Sequence, residues 1–222
     1  MNTKNFVNAK ISRSATSLTA TSQTPKILIT GTGRCGTTFL IKLFTFLGFD
    51  TGYTKDNVEK NIYKNCNSGM ERQYTDKHYI LKNPKYIYEI EKIMNSKINV
   101  KLIIIPIRDY NASAESRNSY KKQNGGLWNA TNVNEQLLFY YKIMSNYLYY
   151  MTKYEINTLF LDFDKMTTDK RYLFEKLKNI LIEKNITFEL FNNVFDEVSE
   201  TSKPKNKLLT QLCPETPPNQ EC

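Results

Sequence analysis

Histidine is nearly missing from this chain: among 222 residues there is one, His78. Cysteine is sparse, with Cys35, Cys66, Cys213 and Cys222 and no Cys-x-x-Cys pair. A structural zinc site gathers four Cys or His ligands, so this supply argues against bound zinc. It also argues against a disulfide-stapled scaffold, which small chains without a sufficient core require. A single bond between Cys213 and Cys222 stays open. No apolar run approaches the ~18 residues of a membrane-spanning helix. Residues 1–25 hold no acidic side chain and no apolar stretch of the secretory kind. Their Ser, Thr and Asn content predicts a disordered tail, although an organelle transit segment has the same composition. Residues 203–222, with Pro204, Pro214, Pro217 and Pro218, predict an irregular C-terminal tail.

What remains is ample for a core. The chain of 26.0 kDa is 40% apolar and 24% charged, which fits one α/β domain over residues 26–202. Lys and Arg outnumber Asp and Glu by 31 to 22, a formal charge of +9. Such a balance favours an anionic partner: a nucleotide, a nucleic acid, a sulfated or phosphorylated ligand, or an acidic membrane. The abundance of Lys, Asn, Ile and Tyr also fits an AT-rich gene, which would leave part of the charge without function. No interleaved basic–aromatic motif points to nucleic acid. With no secretory or spanning segment, a cytoplasmic location is expected.

Apolar runs alternate with amphipathic segments. Strands are predicted at Lys26–Thr30, His78–Lys82, Val100–Ile107 and Ile156–Phe163. Helices are predicted at Thr37–Leu47, from Pro84 to about Asn95, and over Asp109–Lys122, Asn132–Lys153 and Lys170–Lys184. This alternation predicts a single three-layer α/β domain, a central parallel sheet with helices on both faces. Ligands of such sheets bind beyond the carboxyl ends of the strands, so the loops after each strand carry the interest.

The first of those loops reads Thr30-Gly31-Thr32-Gly33-Arg34-Cys35-Gly36-Thr37-Thr38. Gly31, Gly33 and Gly36 allow tight turns that aim backbone N–H groups at one point. A helix starting at Thr37 adds its positive end, and Thr37 and Thr38 add hydroxyls. The result is a cradle for phosphate. Gly31 and Gly36 have the spacing of a GxxxxGK[ST] loop, but Thr37 stands where the lysine belongs. A kinase or NTPase, with Asp109 or Asp162 as its Mg²⁺ ligand, is the competing reading, and that departure counts against it. A non-catalytic nucleotide-binding module is a third.

The stretch Arg34-Cys35-Gly36-Thr37-Thr38 resembles the 5′-phosphosulfate loop of the sulfotransferases, (K/R)-S-G-T-(T/S), with Cys35 in the serine place. That family has a second signature, an Arg at a strand end and a Ser eight residues on. Arg108 and Ser116 have that spacing after the most apolar strand, about 74 residues past Arg34; Ser113 is an alternative one turn nearer. Lys82-Asn83-Pro84-Lys85-Tyr86 is similar to a K-x-P-(R/K)-(F/Y) stretch of the family, and Leu159–Met166 to its R-Y-E-D-L strand end. The likeness spans about residues 26–182. It implies a P-loop NTPase-like fold and an enzyme that uses 3′-phosphoadenosine 5′-phosphosulfate as co-substrate, with a hydroxyl-bearing acceptor and no metal. It further implies that Gly31, Gly33, Arg34, Cys35, Gly36, Thr37, Thr38, Arg108 and Ser116 bind the nucleotide.

Sulfuryl transfer requires in-line positioning, charge stabilisation on the leaving phosphate, and a base for the acceptor proton. Arg34 fits the second need. No base position of the family carries over: Pro84, Leu81 and Tyr53-Thr54 stand where it places a His or a Glu. Asp56, Glu59 and His78 are the local candidates, His78 for its ordinary pKa near ~6.5. Lys82, at a strand end, is a candidate for touching the sulfuryl group or, with a depressed pKa, for acting as the base; a solvated surface lysine is the plain alternative. The tyrosines between Tyr140 and Tyr154 predict helix packing, with sugar stacking as the sharper alternative. Arg117, Lys121 and Lys122 predict a solvated basic face.

Overall fold

The computed structural model describes residues 24–63, 66–120 and 125–202. The two tails, apart from Thr24 and Pro25, and Lys121-Lys122 lie outside the described residues. Strand β1 (Lys26–Ile29) leads through the glycine loop into α1 (Thr37–Phe46), the short α2 (Lys55–Val58), and a small hairpin of β2 (Ile62–Tyr63) and β3 (Ser68–Gly69). Then come β4 (Ile80–Lys82), α3 (Ile90–Asn95), β5 (Val100–Ile107), α4 (Tyr110–Asn118) and α5 (Val133–Lys153). The described chain ends with β6 (Thr158–Asp162), α6 (Phe163–Thr168), α7 (Lys170–Leu181) and α8 (Phe188–Ser202).

Four strands pair in the order β4-β1-β5-β6, all parallel. Alternation along each strand splits the core into two layers. Ile27, Ile29, Ile104 and Leu161 pack on one face with α1, α7 and α8. Leu28, Leu81, Ile103 and Ile105 pack on the other with α3 and α5. The fold is therefore the expected three-layer α/β arrangement. β5 is buried through its middle, as its unbroken apolar run predicts for a central parallel strand.

Several boundaries differ from the sequence expectation. The helix from Pro84 is broken: a 3₁₀ turn, Pro84–Ile87, precedes α3, and Asn83 caps the turn by accepting from the Lys85 N–H at 3.0 Å. The last strand stops at Asp162, whose carboxylate turns to cap α6. Asp109 and Asn132 lie just outside α4 and α5 as N-caps. Helix α8, the hairpin, α2 and α6 were not expected. No helix among the described residues is long and apolar enough to cross a membrane.

β1 lies between β4, reached through α1, and β5, reached over the opposite face. The topological switch therefore falls at the carboxyl end of β1, the place where open parallel sheets hold ligands.

Candidate functional site

The loop after β1 wraps into a cleft of about 1260 Å³, and Gly33, Arg34, Gly36, Thr37 and Thr38 line it. Gly36 is the N-cap of α1 in a left-handed conformation and supplies no side-chain cap. The first N–H groups of α1 are thus left to whatever enters the cleft. Gly33 also has positive φ, 78°, and a methyl there would run into the Arg117 guanidinium. Arg34 adopts φ 56° despite its side chain, a conformation that costs energy and marks a constrained loop. Gly31 and Cys35 shape the loop from behind: Cys35 is fully buried, and burial pushes its thiol pKa up.

Three segments distant in sequence meet at Arg34. Its Nε donates to Ser116 Oγ at 3.0 Å. Its Nη1 donates to the Cys66 carbonyl, and its guanidinium lies 4.8 Å from the Tyr120 ring centroid. Arg108 Nη1 donates to the Arg34 carbonyl at 3.0 Å, and the Arg108 guanidinium stacks 4.8 Å from Phe163. The structure thereby brings Arg34, Arg108 and Ser116 together. Ser113 faces inward, fully buried, its hydroxyl without a partner among the described residues.

Arg117 is not on a solvated face. It is 7% exposed and donates from Nη1 to the Gly126 carbonyl at 2.5 Å and from Nη2 to the Thr32 carbonyl at 3.3 Å. Burial lowers its pKa from the ordinary arginine value. The side chain ties the glycine loop to the Gly126–Trp128 wall of the cleft, with its guanidinium 5.1 Å from the Trp128 ring. Trp128 lines the cleft, whereas the tyrosines of α5 do not. Tyr140 and Tyr147 are core residues, each pushed up to about 12 by burial.

Lys82 pairs with Ile29 across the sheet, next to the start of the loop. It is 1% exposed, and its ammonium donates to Glu71 Oε1 at 2.6 Å and to the Gly69 carbonyl at 2.8 Å. Burial holds its pKa below the usual lysine value, offset in part by Glu71. A second buried lysine, Lys42 on α1, pairs with Glu59. All four line the cleft, together with Ser199, Thr201 and Ser202 at the end of α8. His78 does not: it precedes β4, at the other end of that strand from Lys82, and its Nδ1 lies 2.7 Å from Asp50. Asp56, on α2, is also outside the cleft.

The two aspartates weighed as Mg²⁺ ligands are helix caps. Asp109 accepts from the Ala112 N–H at 2.8 Å and Asp162 from the Lys165 N–H at 2.9 Å. They line a separate hollow of about 370 Å³ beside Arg108 and Tyr141. No group of three or more metal-binding side chains occurs among the described residues.

Glu71, Lys42 and the burial of Arg117 were not foreseen. Lys42 left a signal, a lone charge inside the apolar run Phe39–Phe46. Glu71 left none, since it sits in an irregular segment whose position only the folded chain defines.

The fold and cleft define an α/β protein with a glycine-rich loop at its sheet switch point. No family model, no curated protein and no solved structure matches the chain.

Proposed function

We propose that the chain is a sulfotransferase, moving a sulfuryl group from 3′-phosphoadenosine 5′-phosphosulfate to an acceptor hydroxyl on a glycan, a lipid or a small molecule. The observation that carries this reading is the convergence of Arg108 and Ser116 on Arg34. Two sequence signatures that are weak apart would be of one site if they meet, and these meet at the mouth of the glycine loop.

In this reading the loop is a P-loop-like cradle. Its N–H groups and the amino end of α1 hold the 5′-phosphosulfate. Arg34 faces the bridging oxygen as it gains charge, where a fixed cation acts most strongly. Arg108 offers a bidentate fork to the 3′-phosphate, while the Ser116 hydroxyl holds Arg34 by accepting from its Nε. Lys82 reaches the sulfuryl oxygens from the end of β4. Trp128 offers a flat apolar face to either ligand.

A thermal-shift titration without metal tests this. 3′-Phosphoadenosine 5′-phosphate is expected to raise the melting temperature in the presence of EDTA. ATP, lacking the 3′-phosphate, is expected to do so less. Stabilisation by Mg²⁺-ATP alone would overturn the proposal in favour of a nucleotide kinase or NTPase.

A further inference from the structure

We propose that Glu71 is the general base of this cleft, working as a pair with Lys82; this rests on the sulfotransferase reading above. Two observations support it. Glu71 lines the cleft with its carboxylate 2.6 Å from Lys82 Nζ. Lys82 is held beside Ile29, the last residue of β1, where the glycine loop begins. The carboxylate therefore lies on the side of the cleft where the sulfuryl group meets the acceptor.

Its backbone is also firmly held. Arg72 N–H donates to the Lys82 carbonyl at 3.0 Å, and the Arg72 carbonyl accepts from Asn83 Nδ2 at 3.1 Å and Tyr86 Oη at 2.6 Å. On the other side Met70 takes a left-handed φ of 64° while its N–H donates to the Asn61 carbonyl at 3.0 Å. A strained residue clamped this way fixes the direction of the next side chain. Positioning of this kind is what proton transfer in a transition state demands.

The competing acids fit less well. Glu59 meets Lys42, five residues past Thr37, which the helical rise places about 7.5 Å further along α1. His78 lies at the wrong end of β4. In the step itself, the acceptor O–H gives its proton to the Glu71 carboxylate as the acceptor oxygen forms its bond to sulfur. The bond from sulfur to the phosphate oxygen breaks, and its electron pair leaves on 3′-phosphoadenosine 5′-phosphate. Protonation of Glu71 removes the charge that Lys82 was paired with, leaving the ammonium free to face the sulfuryl oxygens. Glu71 then returns its proton to solvent.

Water can serve as acceptor, so hydrolysis of the sulfate donor is the assay. Glu71→Gln and Glu71→Ala are expected to bind 3′-phosphoadenosine 5′-phosphate as the wild type does, by thermal shift, and to hydrolyse the donor ~10²-fold or more slowly. Sodium formate is expected to restore turnover to Glu71→Ala, because a small carboxylate can occupy the vacated space. Nucleotide binding guards against mere misfolding. Wild-type turnover in Glu71→Gln, or a slowed Glu71→Ala that formate does not rescue, overturns the base assignment alone. So does a wild type that binds the nucleotide yet leaves the donor intact. A wild type that fails to bind the nucleotide overturns the sulfotransferase reading itself.

Discussion

Arg34 and Arg108 touch each other, yet they are expected to fail differently when removed. Under the proposed transfer, charge would change beside Arg34 in the loop, so Arg34→Ala is expected to lower kcat by ~10²-fold or more. Arg108 would meet a phosphate that does not react, so Arg108→Ala is expected chiefly to raise the co-substrate KM, by about 1.5–3 kcal/mol of lost binding. Steady-state kinetics on donor hydrolysis separate the two. Lys82 adds a stability signature. Burial makes the folded chain release the Lys82 proton at a lower pH than the unfolded chain, whose lysines titrate near ~10.4. Between those two values the unfolded state binds more protons, so this residue makes stability rise with pH there and level off above. Lys82→Met is expected to flatten that rise in urea midpoints measured toward alkaline pH. At this scale the loop was legible, because its glycines, arginine and threonines are contiguous and their chemistry is local. Glu71 and Arg117 were not, because their roles depend on which surfaces the fold presses together.

Element existence could be read where periodicity and caps agree. Helix α5 is the clearest case: Asn132 accepts from the Glu135 N–H at 3.0 Å, and Asn132→Ala is expected to cost ~1 kcal/mol. The hairpin of β2 and β3 is not legible in the sequence, since two residues per strand carry no period. Helix α8 is different, for Phe191, Val194, Phe195 and Val198 do fall at helical spacing and are all buried. Its signal lay in the sequence between the last expected helix and the Pro-containing tail. That helix matters twice, packing on α1 through a Phe39–Phe195 edge contact and ending in serines and a threonine that line the cleft. Phe191 is fully buried against Phe174 and Phe195. Phe191→Ala is therefore expected to lower unfolding free energy by ~3–5 kcal/mol in chemical denaturation.

For the whole molecule, the cleft carries a local excess of positive charge. Among the described residues the cleft is lined by Arg34, Lys42, Lys82, Lys85, Arg108 and Arg117 against Glu59 and Glu71. A concave, cation-rich wall concentrates field and would draw in a multiply charged anion such as the proposed nucleotide. Binding to the folded state alone at a hundred times Kd stabilises it by ~2.7 kcal/mol, which for a chain of this size corresponds to a melting shift of roughly 5–11 °C. Added salt shortens the screening length from ~10 Å at 0.1 M toward ~3 Å at 1 M. The long-range part of the attraction is then lost, while contacts inside the loop persist. The nucleotide's Kd, followed by calorimetry across that range, is therefore expected to weaken steadily without vanishing. Arg34→Ala and Arg108→Ala should each show a shallower salt dependence than the wild type. A Kd indifferent to salt would mean that the cleft's cations are neutralised within the protein and take no part in drawing the ligand in.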